Sequence, residues 1–244
     1  MGCAHNKNQN GFTLVEISIV MIIVGLLIGG TFGGMKLIEN MQVNKAVQDL
    51  KAFDAGGLTF RDIYGRLPGD LRNPSSRLPN CSAPPCSTSG NGDRKIGGDF
   101  DNANITVTDE AFVYWQHLLA ADLISGIKNV ADLTYGEGQP ENPITGGFML
   151  MGMISGPFWF TSVSSKHAII TTEQGGVMAS STDVDIIPCE PVRSIDRKID
   201  DGRPGTGRVL SWGYCITSPA SVNSDWSAPG SGPFIGSLAY TLAY

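Results

Sequence analysis

From Ile17 to Met35 the chain runs for 19 residues without a charge. As a helix that is about 28 Å at roughly 1.5 Å per residue, enough to cross the hydrocarbon core of a bilayer. Apolar positions then thin out but keep a helical period. Val43, Val47, Leu50, Phe53, Gly57, Phe60 and Tyr64 recur at intervals of three and four and mark one face of an amphipathic helix. Gly65 and the Leu67-Pro68-Gly69 stretch close it, because Pro68 has no amide hydrogen to continue the ladder. The pattern predicts one long helix, membrane-spanning over 12–38 and amphipathic over 39–65.

Beyond residue 65 the period changes. Segments rich in β-branched or aromatic residues and bounded by Gly, Pro, Ser or Asn lie at 104–108, 147–153, 157–163, 167–172, 207–217 and 238–244. They predict an antiparallel sheet. Phe112, Trp115, Leu119 and Leu123 recur at helical spacing after Asp109 and Glu110, with Gly126 as the expected stop. A second helix is expected over 190–199, with Pro191 in its first turn, Val192, Ile195 and Ile199 as an inner stripe, and Gly202 as its end. Residues 66–244 therefore read as an α+β head without internal repeats.

Composition narrows the functions available to it. A formal charge of −6, with no cluster of Lys and Arg in the sequence, argues against nucleic acid as a main ligand. His117 and His167 stand in no metalloprotease motif, and no nucleophile elbow or glycine-rich phosphate loop is present. No enzymatic activity is expected. The apolar run is too long for a secretory signal core and continues into Lys36-Leu37-Ile38-Glu39 without a small-residue cleavage site. A myristoyl anchor at Met1-Gly2-Cys3 would want Ser or Thr where Asn6 stands, and a lipoprotein cysteine would follow the apolar stretch, which Cys3 precedes.

The junction before the run is more specific. Gly11-Phe12-Thr13-Leu14-Val15-Glu16 follows a short polar leader and opens the apolar helix. It resembles the amino terminus of type IV prepilins and type II secretion pseudopilins. The resemblance implies that a prepilin peptidase cuts between Gly11 and Phe12 on the cytoplasmic side and methylates the new amine of Phe12. It also implies a pilin-like fold in the inner membrane with its head in the periplasm, an assembly platform as partner, and later a fibre of pilin or pseudopilin subunits. Glu16 is then the fifth mature residue. A carboxylate in the hydrocarbon costs ~2.5–3.5 kcal/mol on insertion scales and usually marks a partner; in the family that partner is the terminal amine of a neighbouring subunit. The alternative is a Glu16 that snorkels to the near interface.

Loss of residues 1–11 removes one Lys and leaves −7. It also removes Cys3. The remaining four cysteines suit an oxidising compartment, with local pairing of Cys81 to Cys86 and Cys189 to Cys215 expected; spacing alone does not fix connectivity, and four reduced thiols are the alternative. A zinc site is disfavoured because only Cys81 and Cys86 are close in sequence.

No cofactor is required by this reading, and calcium is the one candidate. Asp200 and Asp201 fall at a helix carboxyl end, where the dipole disfavours negative charge. Arg197, Lys198 or Arg203 could compensate; calcium, by resemblance to the calcium-binding loop of major pseudopilins, is the sharper reading. Asp99 and Asp101 form a second calcium candidate; the match to an EF-hand fails at Ala103, which leaves an irregular calcium loop or a solvated turn with Asx hydrogen bonds. Two functions follow as expectations: a structural fibre subunit, or a single-pass anchored binding protein or adhesin that does not assemble. A pilus, a secretion machine and a DNA-uptake machine share this amino terminus, and the size of the head leans toward a minor or lineage-specific pilin.

Overall fold

The computed structural model of the chain describes residues 12–97, 105–151, 167–173, 175, 186–213, 215–216, 225–226 and 235–244. Among these residues four helices, α1 (Leu14–Tyr64), α2 (Pro74–Arg77), α3 (Glu110–Ala120) and α4 (Cys189–Ile199), accompany five strands, β1 (Gly147–Met151), β2 (Ala168–Thr172), β3 (Ile187–Pro188), β4 (Val209–Gly213) and β5 (Ile235–Thr241). The chain divides into two compact units, Met1–Met41 and Gln42–Tyr244. The amphipathic part of α1 from Gln42 onward therefore belongs to the same body as the head.

In that body the expected stripe is buried. Val43, Val47, Leu50, Phe53 and Phe60 enter the core, where the Phe53 ring meets Trp115 of α3 and Phe148 of β1 edge-on at 5.0 and 5.5 Å. Gly57 lies on the same stripe because a Cβ there would come within 2.3 Å of the Tyr244 hydroxyl. That hydroxyl is 2.5 Å from the Tyr114 hydroxyl, so the last residue of the chain is clamped between α1 and α3. The stop at Gly65 is an αL cap: at φ +70 its N–H reaches the Arg61 carbonyl at 2.8 Å.

The sheet is antiparallel throughout. β1 pairs with β2 and β2 with β5, while β4 lies on the other edge of β5 and β3 pairs with its start. The register aligns Leu150, Ile169, Tyr240 and Val209 in one row facing the core cluster. Met149, Ile170, Ala239 and Leu210, one residue along each strand, point the other way and are buried too. Burial on both faces is why these strands read as near-continuous apolar runs rather than alternating ones.

Three expectations need correction. Ile105 to Thr108 form a loop and turn rather than a strand, because the Asp109 carboxylate takes the Thr106 N–H at 2.6 Å and turns the chain into α3. α3 ends at Ala120, well before Gly126. Asp122 takes the left-handed conformation at φ 57, and bonds from Leu123 N–H to the Leu118 carbonyl and from Asp122 N–H to the Leu119 carbonyl complete a Schellman motif with Asp in glycine's place. The strand over 207–217 is confined to Val209–Gly213. The segment 157–163 lies outside the described residues.

Two disulfides are present, Cys81–Cys86 and Cys189–Cys215. The second ties the start of α4 to the chain beyond β4.

Candidate functional site

α1 begins in a capping box. The Thr13 N–H donates to Glu16 Oε2 at 2.8 Å, the Thr13 hydroxyl donates to the same oxygen, and the Glu16 N–H reaches back to Thr13 Oγ1 at 3.3 Å. These bonds satisfy amides that the first helical turn leaves without partners. The Thr-x-x-Glu pattern of Thr13 and Glu16 is the sequence signature of such a box. Phe12, ahead of it, is 83% exposed, and Gly11 lies outside the described residues.

Past the box the helix shows apolar side chains on every side; Val15, Ile19, Ile22, Leu26 and Met35 are all exposed. A helix exposed and apolar all round is a membrane span or a helix awaiting other helices. Among the described residues it is the one helix long and apolar enough to cross a membrane. It stays continuous through Gly25, Gly29, Gly30, Gly33 and Gly34, and a Cβ at any of these would meet no atom within 4 Å. Those five notches admit close approach by another helix.

A second cluster lies at the end of α4. Single carboxylate oxygens of Asp196, Asp200 and Asp201 all lie within 4.8 Å of one another. Asp200 and Asp201 were expected there. Asp196 was missed, although its spacing of four from both Val192 and Asp200 puts it on the inner stripe and the acidic face together. Loop donors compensate the helix end, and the charge of Arg197 acts on Asp196 as well. Asp200 Oδ2 accepts from the amides of Arg208 and Val209, while Asp201 accepts from the Arg203 amide at 2.9 Å and the Thr206 hydroxyl at 2.5 Å. Lys198 instead donates to Asn44 at 2.6 Å. Gly207, at φ +79, has no side chain because a Cβ would strike the Asp200 carboxylate.

Asp196 is fully buried, and its Oδ2 has no hydrogen-bond partner. Burial, reinforced by the charges of Asp200 and Asp201, pushes its pKa up to about 7. An orphaned buried oxygen beside two more carboxylates fits a hard divalent cation, for which these three residues would supply oxygen ligands. Asp99 and Asp101 lie outside the described residues.

Among the described residues the cysteines and histidines are spent on structure. Cys81, Cys86 and His117 cluster, but both sulfurs are in the disulfide. His117 Nδ1 accepts the Gly69 N–H at 2.9 Å, and Nε2 lies 3.0 Å from the Cys86 carbonyl. That assigns the imidazole as neutral with its proton on Nε2, and burial lowers its pKa to about 4. His167, also buried, accepts the Ile96 N–H at 3.0 Å.

No curated protein and no solved structure gives a match to this chain. Residues 6–32 match the family model described as the prokaryotic N-terminal methylation motif. That match begins ahead of the Gly11-Phe12 junction, spans it and runs into the exposed apolar helix. Over that amino-terminal stretch the chain is similar to type IV prepilins and pseudopilins, and the motif stands ahead of an α+β, pilin-like architecture.

Proposed function

We propose that this chain is a structural subunit of a type IV pilus or a type II secretion pseudopilus. A prepilin peptidase cuts it between Gly11 and Phe12 and methylates the Phe12 amine. The subunit waits as a single-pass inner-membrane protein with its head in the periplasm, then packs its helix among those of related subunits through the assembly platform. The observation that carries the reading is a capped carboxylate, Glu16, at the head of a helix whose apolar side chains are exposed among the described residues. In the fibre Glu16 exchanges its bonds to Thr13 for the cationic amine of a neighbouring Phe12. The chain's own residues perform no chemistry in this account.

The test separates processing from assembly. Gly11→Ala is expected to leave the precursor uncut, visible as a larger species on electrophoresis, while Glu16→Ala is expected to be cut normally and yet yield no fibre. A Gly11→Ala chain of unchanged size together with Glu16→Ala fibres at parental yield would sink the assembly reading and leave an anchored binding protein or adhesin.

Calcium at Asp196, Asp200 and Asp201 belongs to the same proposal. At a hundred times its Kd a bound ion stabilises the native state by about 2.7 kcal/mol. Added calcium is therefore expected to raise the melting temperature of the parent and not of Asp201→Asn. No rise in the parent removes the ion.

A further inference from the structure

The chain is acidic overall, yet it gathers three arginines around one cavity. The cavity, about 360 Å³, is lined by Arg61, Gly65, Arg66, Leu67, Arg94 and Tyr244. Their convergence is fixed by the backbone. Arg61 sits in the last turn of α1, and the left-handed Gly65 turns the chain so that Arg66 follows on the same side. Arg94 arrives from the loop over 89–97, itself at φ 69, with its N–H held by Asp70 Oδ2 at 2.9 Å.

None of the three guanidinium groups has a carboxylate oxygen within 4 Å among the described residues. Asp62 and Asp93 are their sequence neighbours and make no ion pair with them. Arg66 donates to the Gly92 carbonyl at 2.9 Å, and the Arg61 guanidinium stands 5.9 Å from the Tyr244 ring centroid. Each group thus keeps donors free. Like charges brought together repel unless an anion sits among them. A guanidinium is the planar fork that matches the oxygens of a phosphoryl group, with two parallel N–H bonds to each. Leu67 and Tyr244 add an apolar wall, and the volume exceeds that of a bare phosphate. That wall suits an organic part beside a charged head.

We propose that Arg61, Arg66 and Arg94, with Leu67 and Tyr244 as the apolar wall, bind a phosphoryl group carried on a small organic moiety. This site is independent of processing and of assembly. Two sources share that chemistry, a soluble sugar phosphate and a phospholipid headgroup.

The full chain in a non-ionic detergent is titrated with inorganic phosphate, glucose 6-phosphate, glucose, and dihexanoyl phosphatidylglycerol below its micelle concentration, with binding read by calorimetry. Saturable binding of the phosphoryl probes and none of glucose is expected. Tighter binding of glucose 6-phosphate than of the lipid assigns a soluble source, and the reverse order assigns a headgroup. The double variant Arg61→Gln with Arg94→Gln, two exposed side chains whose loss leaves the core intact, is expected to weaken binding at least ~10-fold, about 1.4 kcal/mol. Its unfolding transition should match the parent's. The proposal is overturned if no phosphoryl probe saturates below about 10 mM, a limit near 3 kcal/mol of binding energy, or if the double variant binds as the parent does.

Discussion

Asp54→Ala is expected to destabilise the head by about 2–4 kcal/mol, roughly 5–15 °C in melting temperature for a domain of this size. Asp54 sits on the core side of α1, and its carboxylate is the acceptor for three donors from two segments. Arg208 Nη2 donates to Oδ2 at 2.6 Å, the Ala243 N–H donates to Oδ1 at 2.9 Å, and the Tyr240 hydroxyl approaches at 3.5 Å. Removing it orphans a backbone amide and leaves Arg208 without its counter-charge. The estimate lies below that for a wholly buried pair because the Arg208 side chain is 41% exposed. Arg208 also keeps the Thr241 carbonyl at 2.9 Å and the Tyr240 ring at 4.6 Å. Asp54→Asn retains the acceptor for Ala243 and should cost about 1 kcal/mol. Urea unfolding of the three proteins gives the ordering; equal midpoints for Asp54→Ala and the parent would show that this knot contributes nothing.

Between about pH 4 and 7, stability measured with chelator present is expected to be nearly flat, as the difference of two opposed contributions. His117 has its folded pKa lowered to about 4 from an ordinary 6.5 by burial. The unfolded chain takes up that proton first, so stability is lost as pH falls through this window, by about 3 kcal/mol at ~1.4 kcal/mol per unit. Asp196 has its folded pKa raised to about 7 from 3.8. The folded chain holds that proton longer, so stability is lost as pH rises, by about 4 kcal/mol. His167, lowered chiefly by burial, adds to the first trend. Asp196→Asn should therefore expose an acid-labile profile and His117→Asn the opposite slope, both read as melting temperature against pH. An Asp196→Asn profile as flat as the parent's would mean that Asp196 is already ionised in the fold.

What could be read before folding follows the range of each interaction. The stripe from Val43 to Tyr64 was legible because helical burial is periodic in sequence; that Gly57 belongs to it was legible too, but not why, since its reason is Tyr244 on top of it. The end of α3 was misread because a Schellman cap asks for a left-handed residue, and Asp122 serves where glycine was sought. Ile105 to Thr108 carry β-branched side chains that suit an extended chain, and one Asp109 side chain converts the segment to a turn. Asp196 was hidden because an acid on an apolar stripe looks like a boundary of that stripe until the loop beyond it folds back. The capping role of Glu16 was local, three residues from Thr13, and could have been found. The arginine cavity could not, because Arg94 reaches Arg61 and Arg66 only through a loop whose path depends on Asp70.

The Asp54 knot and the Tyr244 clamp also set a timetable. Phe53, Asp54 and Gly57 on the core face of α1 wait for partners supplied by Tyr114, Tyr240, Ala243 and Tyr244. At synthesis rates of ~5–20 residues per second that wait is about 10–40 s for the last of them. During it, Val43, Leu50, Phe53 and Phe60 are a bare apolar ridge joined to a membrane-seeking segment. Such long-range closure is slow and prone to aggregation, so the yield of folded head depends on what shields that ridge until Tyr240 to Tyr244 arrive.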